Sequence, residues 1–155
     1  MLQRIQSIYL LAASIVMFGL FLFPLAHNIY VDGKLVNVSV TGVYEIVNGQ
    51  DKLLETFTAL TVATAIIGLV PLAVIFMYKN RKKQINFCYI AILALIGYSF
   101  WMAQTVKKVV GAITLEYKNM GVGLFLTSLS IILIIFAFKA IQRDEKLVKS
   151  ADRLR

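Results

Sequence analysis

Four residues expected on one side of the molecule, His27, Glu45, Glu55 and Glu116, carry side chains that could together hold a metal or move a proton. Imidazole with carboxylates is a common ligand set for divalent first-row metals. There is one histidine, and the three acids follow it at no fixed spacing, so the expected role of these groups is that of polar residues at an interface. Cys88 is the single cysteine. It leaves no pair for an intrachain disulfide or a cysteine metal site, and it removes four-pass thiol oxidoreductases, which need paired cysteines. A lone cysteine in an apolar segment is expected to pack as a small residue. The sequence holds no nucleophile–base pair, phosphate loop or metal motif. It therefore assigns no catalytic residue, no metal ligand and no cofactor.

A second group of residues suggests binding rather than reaction. "KNRKK" contains Arg81, Lys82 and Lys83, and the last residues read "RDEKLVKSADRLR". On a helix, Leu147, Ala151 and Leu154 fall on one face. Glu145 and Lys149 form an i,i+4 pair of favourable order, and Arg153 and Arg155 suit the C-terminal pole of the helix dipole. The expected element is a short amphipathic helix, 141–155, continuing or bending from an apolar segment. One role for it is to lie on anionic lipid. Its apolar face is narrow, however, and its three acids work against an anionic surface. The other role is docking on "KNRKK" or on a partner, with Asp144, Glu145 and Asp152 as acceptors and Leu147 and Leu154 as anchors. A nucleic-acid or ribosome contact for "KNRKK" is the remaining alternative; it lacks the interleaved aromatics that base stacking would use.

The elements that must position these groups are apolar. The chain has 155 residues, 59% hydrophobic and 15% charged, against about 45–50% and about 25% in ordinary soluble domains. The excess lies in four blocks, 8–26, 53–78, 85–106 and 120–140. Each approaches or exceeds the roughly 20 residues a bilayer crossing takes. One integral membrane domain covering 1–155 is expected. The first block is longer than the usual signal-peptide core and has a poor cleavage pattern, "FPLAHN", so an uncleaved first helix is expected.

Orientation follows the lysine and arginine bias of short loops. Arg4, the "KNRKK" bases, Lys139 and the bases of the tail make 11 of the 16. Lys34, Lys52, Lys107, Lys108 and Lys118 make the other 5. Counting acids as well, the whole net charge of +8 falls on the first side. Both termini are expected in the cytoplasm, with the protein in the inner membrane. The bland role of "KNRKK" is then a topology anchor drawn to membrane lipids, at about 1 kcal/mol per base.

The long outer loop, 27–52, carries a hairpin signal at Asp32-Gly33. Val36, Val38 and Val40 alternate with polar residues as in a half-buried strand. Gly42 is expected to break that strand, and "VYEIV" to continue as a bent or further one. In the second outer loop, "GAITLEYK" also alternates. A lone hairpin is marginal in water, so strands from both loops are expected to pair. Asn37-Val38-Ser39 matches a glycosylation acceptor, a pattern common by chance. The fold expected is an all-α transmembrane four-helix bundle with a small extracytoplasmic antiparallel β-sheet built from the outer loops.

Inside the blocks, Pro71 should kink the second helix. Thr61, Ala65 and Gly68 share one face there, and Gly123, Thr127 and Ser130 share one face of the fourth. Such tracks let helices approach closely in lipid. No Asp, Glu, Lys or Arg lies deep in any block, whereas proton-coupled carriers normally place ionisable groups there. The expected function is a non-enzymatic subunit or accessory or assembly factor of a membrane protein complex, in contact with a membrane-protein partner or with itself. The alternative is a small oligomeric transporter or channel. A membrane enzyme ranks third.

"MLQRIQSIYLLAA" at the start and "DEKLVKSADRLR" at the end resemble an uncharacterised family of four-pass membrane proteins of the Bacteroidota, domain-of-unknown-function family 4293. The resemblance covers essentially the whole chain. It implies an integral inner-membrane protein and supplies no activity to carry over. The architecture is also like that of claudins, but their aromatic and paired-cysteine motif is missing, so a junction function is not transferred.

Overall fold

The structure is a computed structural model, and it describes residues 2–31, 33–47, 50–78, 80–111 and 119–153. Helix α1 covers Leu2–Phe18 and runs into a 3₁₀ turn, Gly19–Phe21. Four strands follow: β1 Ala26–Val31, β2 Lys34–Val38, β3 Gly42–Val47 and β4 Gln50–Thr56. Three helices complete the chain: α2 Thr58–Phe76, α3 Arg81–Val110 and α4 Gly123–Arg153. α1 packs on α2 and α4, and α3 packs on the same two, which closes a four-helix ring.

The buried positions show why these segments pack. On α3 they are Gln84, Cys88, Ala91, Leu95, Tyr98 and Met102. On α4 they are Gly123, Thr127, Ser130, Ile134, Ala137, Ile141 and Asp144. On α1 they include Gln6, Leu10, Ala13, Met17 and, in the 3₁₀ turn, Leu20. Steps of four and three alternate along α1, along α4 and along α3 as far as Met102, after which Val106 and Val110 follow at steps of four; the alternation is the seam of a left-handed bundle. The expected track of the fourth helix, Gly123, Thr127 and Ser130, lies in its seam; of the track expected on the second, Gly68 is buried, while Thr61 and Ala65 are half-buried. Ser14 Oγ donates to the Gly68 carbonyl at 2.6 Å, and Ser130 Oγ to the Ala13 carbonyl at 3.1 Å. A Cβ on Gly68 would stand 3.3 Å from the Phe18 ring.

The strands form one antiparallel meander in the order β1-β2-β3-β4. The expected hairpin is present: Val31 pairs with Lys34 across residues 32–33, and Gly33 has φ +77°. Ile29, Val36, Val38, Val40 and Val43 carry the buried face. The break after β2 falls at residues 39–41, and "VYEIV" lies in β3, which Gly42 opens. A Cβ there would stand 2.1 Å from the Glu55 carbonyl oxygen, so only glycine fits.

Three expectations about boundaries change. The first helix ends at Phe18, well before residue 26, because Pro24 lacks an N–H and disfavours helix in the residue before it. Leu25 then donates to the Val38 carbonyl at 2.7 Å, and Ala26 opens β1. The segment expected to start the second span at Leu53 is instead strand β4, paired with β3 from Gly42↔Thr56 to Val47↔Gln50. All four strands thus come from the first loop. From the described residues of the second loop come a bridge, Ala26↔Met120, and a hydrogen bond from Asn119 Nδ2 to the Asn28 carbonyl. The expected strand in "GAITLEYK" falls on residues 112–118, outside the described residues.

Candidate functional site

At the end of the bundle away from the sheet, the helix seams turn polar. Gln6 is the seam residue of α1, Gln84 that of α3 and Asp144 that of α4. Their exposures are 5%, 3% and 5%. Gln6 Nε2 donates to Asp144 Oδ2 across 138 residues of sequence. Arg81 Nη1 donates to the backbone carbonyl of Asp144 at 3.2 Å. Gln84 Nε2 donates to the Val74 carbonyl at 3.2 Å, which ties the end of α2 to the start of α3. The second oxygen of Asp144, Oδ1, is buried without a protein partner, alone among the described residues. A buried carboxylate is costly unless its lone pairs are met. This layer is thus held together by hydrogen bonds and by the nearby guanidinium, with one acceptor to spare.

Local sequence explains how these groups arrive there. Asn80 caps α3: its side-chain oxygen accepts from the Lys83 N–H at 3.2 Å. That is the usual work of an asparagine at a helix start. It sets the first turn of α3 so that Arg81 and Gln84 sit on the bundle side, while Lys82 and Lys83 are exposed. Beside the layer lies a cavity of ≈520 Å³, lined by Gln6, Ser7 and Ile8 of α1, Ile75 and Tyr78 at the end of α2, and Arg81 and Gln84 of α3.

The structure brings together two of the sequence-derived binding residues, Arg81 and Asp144. The contact uses the Asp144 backbone, and its carboxylate goes to Gln6. Glu145 is half-buried, one residue on. Leu147 is 51% exposed, so it is not an anchor on this chain's own surface. Of the two expected forms the tail takes the first, a continuation: α4 runs through it unbroken to Arg153. Asp152 and Arg153 lie in that helix, and Leu154 and Arg155 fall outside the described residues. Gln6 and Gln84 were missed in the sequence. Their signal was the four–three spacing, which continues from the apolar seam positions onto these amides.

In the middle of the bundle, Thr64 Oγ1 and the Tyr98 hydroxyl share a hydrogen bond of 2.6 Å. Ser99 and Thr105 return their hydroxyls to the carbonyls four residues back. Among the described residues, no three of His, Cys, Asp and Glu come close enough to share a metal ion.

The outer face of the helices is apolar. α2, α3 and residues Gly123–Val148 of α4 are long and apolar enough to cross a membrane. Only 28% of the apolar stretch of each is buried within the molecule. α1 is apolar but shorter. Fold and surface together give a four-helix bundle, three of whose helices are long and apolar enough to span a membrane, with a four-stranded antiparallel sheet at one end. The sequence matches the family described as Domain of unknown function (DUF4293) over residues 2–154; the chain belongs to that family. No curated protein and no solved structure matches it.

Proposed function

We propose that the protein is a four-pass integral membrane protein of the inner membrane, with both termini cytoplasmic and the sheet outside, and that it serves as a non-enzymatic subunit or accessory factor of a membrane protein complex. The bilayer placement is supported by Leu93 and Phe100, 69% and 68% exposed on α3, and by many similar side chains on the other helices. A water-facing belt of that kind would be far larger than the patches soluble monomers carry. The orientation is supported by the basic bias of the termini and of "KNRKK". α1 reaches across with the help of its 3₁₀ turn.

One observation supports the subunit reading over a transporter. In the middle of the bundle the polar side chains Ser14, Ser130, Thr64 and Tyr98 are engaged in helix packing and hold seams. A substrate path would leave such groups facing a passage.

Photo-crosslinking in native membrane tests it, with the probe at Phe100 on the belt and at Tyr30 on the sheet. The expected result is a stoichiometric adduct with one membrane protein from at least one position. If the chain migrates alone and yields only lipid adducts from both, the subunit reading is wrong. The topology has its own check. In a Cys88→Ser background, Tyr30→Cys should react with an impermeant maleimide added from outside, and Lys82→Cys should not.

A further inference from the structure

The ≈520 Å³ cavity beside the polar layer has two kinds of wall. Ile8 and Ile75 are apolar, and Ile8 is 60% exposed on the outer face of α1. Gln6, Ser7, Arg81 and Gln84 are polar and stand at the mouth of the α1–α2 groove. The change from one wall to the other occurs where the apolar runs of α1 and α2 give way to the basic connection between α2 and α3. If the chain sits in a bilayer as proposed above, this is the depth of the lipid headgroups. Tyr78, 53% exposed on the rim, is a residue type that favours that depth.

Arg81 is the cation of the site. A guanidinium has five N–H donors in a planar fork suited to phosphate oxygens, and among the described residues one of them is engaged, on the Asp144 carbonyl. The first turn of a 30-residue helix adds its positive pole, and Lys82 and Lys83 stand exposed beside it. The Asp144 carboxyl is close, but it is buried behind Gln6 and does not line the cavity. Its part is to hold Arg81 and Gln6 in place, which makes it a positioning residue.

We propose that this cavity binds one phosphate-headed amphiphile, with the phosphate on Arg81 and an acyl chain in the groove between Ile8 and Ile75. The inference rests on the membrane placement, and the two fail separately. A chain that leaves the membrane fraction on alkaline extraction breaks the placement. A chain that stays in the membrane but retains no lipid breaks only the site.

Native mass spectrometry of the full chain, released from micelles containing equal phosphatidylglycerol and phosphatidylcholine, reads the site directly. The expected result is one retained phospholipid per chain. Retention should fall about tenfold in Arg81→Gln and in Ile8→Trp, which fills the groove from an exposed position. It should persist in Arg81→Lys and in Lys107→Gln at the other end of α3. Unchanged retention in both Arg81→Gln and Ile8→Trp overturns the site. Glycerophosphate, which has no acyl chain, supplies the second arm. If it displaces the phospholipid at equal concentration, the groove holds no chain and the proposal is wrong. If millimolar glycerophosphate or inorganic phosphate leaves the lipid in place, the amphiphile is supported over a free anion.

Discussion

The two ends of the bundle are closed by different chemistry. At the sheet end the backbone does the work. Gly121 N–H donates to the Leu25 carbonyl at 2.9 Å, Gly123 N–H to the Pro24 carbonyl at 3.0 Å, and Phe57 N–H to the Thr41 carbonyl at 3.0 Å. At the other end side chains do it: Gln6, Arg81, Gln84 and Asp144, next to a cavity. Backbone closure allows close approach and tolerates no added atoms. Side-chain closure leaves room and can be rebuilt by substitution. The first end is fixed in shape, and the second is the one suited to receiving something.

The largest expected effect tests the fixed end. A Cβ on Gly121 would stand 2.0 Å from the Pro24 carbonyl oxygen and 2.7 Å from its carbon. The obstacle is backbone, so the chain must move, and Gly121→Ala should cost about 3 kcal/mol. Denaturation in mixed micelles with dodecyl sulfate measures it. A loss near zero would mean that the α3–α4 connection does not hold the sheet as described.

The next effect tests the rebuildable end. Asp144→Leu leaves the buried Gln6 amide without its acceptor, at a cost of about 1–3 kcal/mol. Adding Gln6→Leu removes the orphaned donor and should recover most of that loss, because matched apolar replacements are often near neutral. The same titration on single and double variants gives the coupling. Additive losses would show that the two side chains do not act as a pair.

The smallest effect returns to the sheet. Gly33 has φ +77° and open space around its Cβ position. Gly33→Val therefore meets no clash and pays only for the left-handed backbone, about 1 kcal/mol. Hydrogen exchange of β1 and β2 amides should quicken in proportion. A loss as large as that of Gly121→Ala would erase the distinction between conformational and steric demands on these glycines.

The parts of this fold legible in the sequence are those with one dominant signal. Long apolar blocks marked the helices, and Asp32-Gly33 with alternating valines marked the first hairpin. Where two signals overlapped, the stronger hid the weaker. Asn48-Gly49 is as strong a turn dipeptide as Asp32-Gly33, and Val47↔Gln50 pair on either side of it. Yet Leu53 and Leu54 read as the start of an apolar span, and their strand went unseen. In the same way, the apolar run across Pro24 concealed a change from helix to sheet. Asp144 was legible as a binding residue by charge and illegible as a buried one. The four–three count from Gly123 lands on it, but an acid in a basic tail suggests water. Only the long-range meeting of α1 with α4 explains why it is inside, and no local pattern contains that meeting.

Helix α4 is held at two points, at Gly123 by the Pro24 carbonyl and at Asp144 by Gln6 and Arg81. The intervening residues span about 32 Å at a rise of 1.5 Å each. A hydrocarbon layer is about 30 Å thick. The helix is thus a ruler clamped at two marks, in a bundle proposed to sit in lipid of nearly that thickness. A thinner bilayer cannot shorten it; the whole bundle has to tilt. The clamp at the sheet end is backbone and unyielding, so the strain of such a mismatch would gather at the polar layer.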